Sequence, residues 1–171
     1  MKKIAIVGSS GSGKSTLAKK LGQVIDIKVW HLDAILWKPG WTLTPRKEQE
    51  QIQSQLVSRD SWIIDGNYNG TLDIRLQAAD TIIFLDMPRI LCLYRVLKRR
   101  VMYHNRSRPD MQEGCEEKID MRFLKWVWEF PESQRQNLLD KLSQLKQDKH
   151  IIVLKSHRQM KRFLAEMKDQ M

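Results

Sequence analysis

An apolar run, Ile4-Ala5-Ile6-Val7, breaks at Gly8 into Gly8-Ser9-Ser10-Gly11-Ser12-Gly13-Lys14-Ser15, and a helix-forming stretch follows from Ser15 to Leu21. A strand, a turn punctuated by three glycines and a helix, in that order, leave few folds open. The turn must wrap so that its backbone N–H groups converge on one point. The segment is a full match to G-x-x-x-x-G-K-[ST], in which glycines let the backbone curl around a β-phosphate, lysine reaches the β and γ oxygens, and the hydroxyl takes a place on Mg²⁺. Gly8, Ser9, Ser10, Gly11, Ser12, Gly13, Lys14, Ser15 and Thr16 are therefore read as a nucleotide-binding loop, with Lys14 catalytic and Ser15 on the metal. The positive end of the following helix adds to the attraction.

The rest of the chain repeats the alternation. Strand-like apolar runs recur at residues 3–7, 28–32, 62–65, 81–85 and 150–154. Helical patterns fill the gaps at 14–21, 45–59, 88–103, 121–145 and 159–168, the fourth interrupted by Pro131. Thr44 is expected to cap the helix that starts at Pro45, and Asp86 the one that starts at Pro88. Near-continuous apolar strands alternating with helices predict an α/β fold, a parallel sheet covered on both faces. Its functional loops should lie at the carboxyl edge. At 171 residues with no visible linker, the chain is expected to form a single domain over 1–171.

Composition bounds the compartment and the partners. Only four apolar residues follow Met1-Lys2-Lys3 before Gly8, too few for a signal peptide or a membrane span, so a cytoplasmic protein with no membrane partner is expected. Cys92 and Cys115 stand alone without metal-ligand or disulfide spacing. The formal charge of +10 is uneven, gathered in Lys98-Arg99-Arg100, Arg106, Arg108 and the stretch from Lys155 to Lys168. Such charge suits a phosphate-rich substrate and leaves nucleic acid open as a partner. No helix-turn-helix, zinc-finger or aromatic RNA-binding motif accompanies it.

Three strand ends carry carboxylates. Asp65 closes Trp62-Ile63-Ile64 and suits the second acidic group of a phosphate-loop site, holding Mg²⁺ directly or through water. Asp33, in His31-Leu32-Asp33, opens toward the loop either as a base or positioning group for an acceptor hydroxyl or as a helix or turn cap. His31 reads as a packed histidine. Trp37 and Trp41 bracket Lys38-Pro39-Gly40 and can wall an acceptor ring or fold back on the core. Arg95 and Arg99 sit one helical turn apart ahead of a polar, basic stretch, an arrangement suited to a lid over about 101–120 whose arginines meet a transferring phosphoryl group.

Taken together, Gly8–Thr16, His31-Leu32-Asp33 with Trp37-Lys38-Pro39-Gly40-Trp41, Trp62-Ile63-Ile64-Asp65-Gly66-Asn67-Tyr68, and Arg95-x-x-x-Arg99 resemble the adenylate-kinase-like branch of phosphate-loop small-molecule kinases, and within it the bacterial topology modulation (FlaR-like) proteins. The resemblance implies a P-loop NTPase fold with core strand order 2-3-1-4-5, ATP and Mg²⁺ as cofactors, Lys14 on the phosphates, and Arg95 and Arg99 as charge stabilisers. Asp65-Gly66 runs into Asn67-Tyr68-Asn69 where nucleoside monophosphate kinases have Phe-Pro-Arg, which points away from a monophosphate acceptor. Arg46 and Arg75 are the replacement cations for a phosphate acceptor. Asp33 matches in position an acid that hydroxyl-acceptor kinases use. The sequence reading is thus an ATP-dependent phosphotransferase whose small acceptor lies between Asp33, Trp37, Trp41, Arg46, Asn67 and Arg75. The other reading is a nucleotide-gated DNA-binding regulator linked to DNA topology.

Overall fold

Alternation along the first strand divides the core in two. Ile4 and Ile6 face one side, packing with Leu17 and Leu21, while Ala5 and Val7 face the other with Trp62's neighbour Ile64 and Leu76. A sheet buried on both faces follows from that pattern. The computed structural model describes residues 1–103, 111, 112, 114, 115 and 120–169. Along the chain the strands are β1 (Lys3–Gly8), β2 (Val29–His31), β3 (Trp37–Lys38), β4 (Thr42–Leu43), β5 (Trp62–Asp65), β6 (Thr81–Leu85) and β7 (His150–Leu154). The helices are α1 (Lys14–Ile25), α2 (Leu32–Leu36), α3 (Arg46–Val57), α4 (Leu72–Ala78), α5 (Arg89–Met102), α6 (Met121–Phe130), α7 (Gln136–Leu145) and α8 (His157–Asp169).

Five strands form one parallel sheet in the order β2-β5-β1-β6-β7, and β3 and β4 pair as a separate antiparallel hairpin. Counting the five core strands in chain order, this is the 2-3-1-4-5 arrangement that the resemblance implied. The register brings His31 opposite Asp65, Asp65 opposite Ile6, and Gly8 opposite Leu85, so the chemical groups gather at one carboxyl edge. Helices α1 and α8 supply Leu17, Leu21, Met160 and Phe163 to one face, and α4 and α7 supply Leu72, Leu76, Leu138 and Leu142 to the other. No helix among the described residues is long and apolar enough to cross a membrane.

Several expectations are corrected in detail. The second strand stops at His31, because Leu32 and Leu36, one helical turn apart and both fully buried, fold into the short helix α2 and carry Asp33 in its first turn. Asp86 does not cap α5, whose N-cap is Pro88 with no side-chain cap bond. Its carboxylate is taken by Arg135, whose Nε and Nη2 donate at 2.7 and 2.8 Å. That bidentate pair raises the Arg135 pKa, led by its hydrogen bond to Asp86. Thr44 does not cap α3 either. Pro45 occupies that position, and the Thr44 hydroxyl is buried without a partner. At Pro131 the expected interruption is a π-type turn, Pro131–Arg135, between α6 and α7. Arg106, Arg108 and most of the proposed lid over about 101–120 lie outside the described residues.

Arg75 is the outlier of the core. It sits fully buried on α4, donating from Nη1 to Gln53 Oε1 and from Nη2 to the Gly66 carbonyl at 3.2 Å, while Gln53 Nε2 donates to Thr71 Oγ1 at 2.5 Å. Burial pulls its pKa down to about 10, so it remains charged at neutral pH. A buried charge needs compensating hydrogen bonds, and these tether the turn after β5 to α3 and α4. Arg75→Ala is expected to cost about 3–5 kcal/mol in urea unfolding, from a cavity and a lost network. Arg75→Met restores volume but strands Gln53 and Gly66, and should still cost about 1–3 kcal/mol. A methionine variant as stable as the parent would show that the network contributes nothing.

Candidate functional site

Between β1 and α1 the chain turns through glycines with left-handed backbone, Gly11 at φ 76° and Gly13 at φ 102°. Gly11 is required twice over, because a Cβ there would also collide with the Cys92 carbonyl on α5. The loop closes on itself through the Ser12 N–H, which donates to Ser9 O at 3.2 Å, and Lys14 Nζ donates to the same carbonyl at 2.9 Å. Burial lowers the Lys14 pKa, opposed first by Asp33 and then by Asp65. From α5, Arg95 Nη1 donates to Ser12 O at 3.2 Å, which fixes that helix against the loop.

A cavity of about 720 Å³ opens over this loop, lined by Ser10, Gly11, Gly13, Lys14, Ser15 and Thr16, by Lys19, Lys20 and Gln23 farther along α1, and by His31, Asp33, Arg95, Arg99 and Tyr103. Lysines and arginines converge there on the N-terminus of α1, a setting for a polyanion. Gly8, Ser9 and Ser12 belong to the loop's supporting side: Ser9 and Ser12 are buried, and a Cβ on Gly8 would meet Leu85 O at 2.6 Å.

The carboxylates are arranged differently from one another. Asp33 lines the cavity, and its Oδ1 accepts from the Tyr68 hydroxyl at 2.8 Å. Desolvation, reinforced by the Asp33 charge, pushes the Tyr68 pKa far up, so the phenol stays a donor. Asp65 is buried behind the wall with Oδ1 2.6 Å from His31 Nδ1, and it is His31 that lines the cavity. The sequence reading left His31 as packing. The cross-strand register of β2 and β5 makes it the partner of Asp65 instead.

A second cavity, about 650 Å³, adjoins the first. Ser10, Lys14, Asp33 and Arg99 line both. Trp37 and Trp41 form one wall, edge to face with centroids 5.4 Å apart. They are held by the β3–β4 hairpin, where Trp41 takes φ 62°, a conformation bulky residues rarely adopt. Gly40 N–H donates to Gly114 O at 3.1 Å and the Cys115 thiol to Lys38 O at 3.2 Å, seating the hairpin. Asn67 and Tyr68 line the cavity after β5, with Asn67 Nδ2 buried and unpartnered. Met111, Asp120, Arg122, Phe123 and Trp126 complete it. Asp120 caps α6, accepting from Phe123 N at 2.7 Å.

Two expected members lie elsewhere. Arg46 is exposed on α3, paired with Glu50 at 2.7 Å and donating to the Gly70 carbonyl. Arg75 is in the core. Neither lines either of these two cavities. Tyr68 was present in the quoted motif but given no role, and Phe123 and Trp126 were not singled out, because one turn apart on an amphipathic helix they carry no signal that separates a cavity wall from a core.

No protein-family model and no curated protein sequence matches the chain. Among solved structures, a shikimate kinase from Acinetobacter baumannii in complex with shikimate is similar over 99% of this chain and 92% of its own, with TM-score 0.60 and 16% identity. A sugar kinase from Janibacter sp. HTCC2649, in its unliganded structure, covers 99% and 91% at TM-score 0.52 and 18% identity. A gluconokinase from Sinorhizobium meliloti 1021 covers 99% and 94% at TM-score 0.52 and 16% identity. At these identities the likeness is one of fold, and the fold is that of phosphate-loop small-molecule kinases.

The lowered Lys14 pKa gives a sign that can be checked. A polyphosphate beside the amine favours its charged form and raises the pKa back. In the alkaline range below the ordinary lysine value of 10.5, triphosphate binding should therefore take up a proton and weaken as pH rises. Calorimetry of ATP binding in buffers of different ionisation enthalpy should detect that proton, and Lys14→Met should abolish it. Proton-neutral binding by the parent protein would contradict the assignment.

Proposed function

We propose that the protein transfers the γ-phosphoryl group of ATP to a hydroxyl of a small acceptor. The observation that carries this reading is the meeting of two cavities, one over the phosphate loop and one walled by tryptophans, at Lys14, Asp33 and Arg99. A donor phosphate and an acceptor hydroxyl brought together there need positioning and charge neutralisation more than covalent help.

In this reading the triphosphate lies along Gly8–Thr16, with Lys14 on the β and γ oxygens. The acceptor oxygen bonds to the γ-phosphorus as the bond to the β–γ bridging oxygen breaks, and ADP leaves with that electron pair. Asp33 takes the hydroxyl proton, held in place by Tyr68. Arg95 and Arg99 offset the charge that spreads over the transferring group. The donor set also fits a magnesium ion: the Ser15 hydroxyl beside Lys14 is a hard oxygen donor, and phosphate oxygens and waters supply most of such an ion's shell. Ser15 would hold it directly and Asp65, whose carboxylate already accepts from His31, through water. Bound magnesium would neutralise phosphate charge.

The four motif blocks also support placing the chain with the topology modulation proteins of the adenylate-kinase-like branch. Two free cysteines, Cys92 and Cys115, both buried, fit work in the reducing cytoplasm. The single-domain reading with a lid over about 101–120 is retained as part of this proposal.

Lys14→Ala is expected to abolish acceptor-dependent ADP formation. Asp33→Asn should lower kcat by ~100-fold or more while ATP still binds, because the shape survives and the proton acceptor does not. Arg99→Ala should lower kcat by a similar factor of ~100 with a smaller change in ATP affinity. Near-parental turnover by Lys14→Ala, measured by coupled ADP assay, would sink the reading.

A further inference from the structure

The tryptophan-walled cavity has an uneven chemistry. Five aromatic side chains from three separate parts of the chain enclose it: Trp37 and Trp41 from the hairpin, Tyr68 from the turn after β5, and Phe123 and Trp126 from α6. Phe123 and Trp126 lie nearly parallel, with centroids 6.1 Å apart and planes inclined by 16°. The left-handed backbone of Trp41 is locally unfavourable, and the hairpin maintains it by pairing Trp37 with Leu43 and Lys38 with Thr42 and by docking Gly40 on Gly114.

The polar lining falls in two groups: Ser10, Lys14, Asp33 and Arg99, shared with the phosphate cavity, and Asn67, Asp120 and Arg122 beside the aromatic walls. Asp33 stands where this cavity joins the phosphate cavity, with Tyr68 already donating to it. The Asn67 amide nitrogen is buried out of reach of the cavity and is not a contact for a ligand there. Asp120 and Arg122 stand at the start of α6, Asp120 engaged in capping and Arg122 exposed. An open-chain or alicyclic polyol would bring a hydroxyl at nearly every carbon, and each hydroxyl buried without a partner weakens binding. A flat ring instead gains from stacking or edge contacts on several walls.

We infer that the acceptor is an aromatic or heteroaromatic ring compound that carries its reactive hydroxyl on a short saturated arm, the ring held among Trp37, Trp41, Phe123 and Trp126, and the hydroxyl on Asp33. A nucleoside 5′-hydroxyl and a hydroxymethyl pyridine both have this chemistry. Gluconate and shikimate, rich in hydroxyls and without an aromatic face, do not. The inference rests on the proposed phosphotransfer and narrows its acceptor.

The test uses full-length protein with its phosphate cavity filled by ADP and Mg²⁺, so that a ring probe cannot occupy the nucleotide site. Thymidine, adenosine and pyridoxine are titrated calorimetrically alongside gluconate, shikimate and glycerol, and all six are then offered as acceptors with ATP. At least one ring alcohol is expected to bind with submillimolar Kd and to drive ADP formation, while the three ringless or alicyclic compounds do neither. Trp37→Leu should weaken that ring alcohol's binding at least tenfold without changing ATP affinity, and Trp41→Phe should weaken it less because a ring remains. Turnover with gluconate, shikimate or glycerol but with no ring alcohol would overturn the inference and leave the kinase reading standing. Failure of every ring alcohol to bind, or binding indifferent to Trp37→Leu, would overturn it as well. Ring binding lost in Trp37→Leu but accompanied by no phosphoryl transfer would uphold the ligand class and defeat the kinase reading instead.

Discussion

Parallel register is the constraint from which the rest follows. Parallel strands all end at the same edge, so whatever residue follows the last buried position of each strand is delivered to one line. Here that line holds Gly8, His31 and Asp65, and just beyond it come Lys14 and Asp33 at the starts of α1 and α2 and Asn67 and Tyr68 in the turn after β5. The Lys14 side chain is half-buried at this edge, where desolvation lowers its pKa and Asp33 and then Asp65 oppose that shift. A shift of one strand by a single residue would turn Asp65 to the opposite face and leave that amine with one carboxylate fewer.

Much of this was legible in the sequence because it is local. The glycine spacing of residues 8–13 requires a wrapped turn, and the apolar runs are long enough and regular enough to mark all five core strands. Pro131 announced the break that became a π-type turn, since its ring cannot sit in a regular helix interior. Trp37 and Trp41 stood out as bracketing Lys38-Pro39-Gly40, but the sequence left open whether their indoles wall an acceptor ring or fold back on the core.

What the sequence concealed is pairing across distance. Asp86 stands two residues before a proline, the position of a cap, yet its partner Arg135 lies 49 residues away, and no local rule weighs that contact against capping. Arg75 looked like a free cation because nothing nearby in sequence reveals that Gln53, 22 residues earlier, turns its amide inward to meet it. His31 and Asp65 are brought together by strand register, 34 residues apart. Phe123 and Trp126 were hidden for a different reason. An apolar helix face that covers a core and one that walls a cavity carry the same periodicity.

The Gly66 carbonyl, gripped from within by Arg75, gives the two walls of the proposed acceptor cavity unequal freedom to evolve. The hairpin wall lies between α2 and α3, outside the five-stranded sheet, so lineages can exchange its indoles for other side chains with little risk to the sheet. The wall formed by Asn67 and Tyr68 follows directly from the buried hydrogen-bond network of Arg75, and drift there jeopardises folding itself. Relatives that diverge in what they accept should accordingly vary first around residues 37–43 and hold 66–75 nearly still, so that innovation is channelled through one side of the cavity.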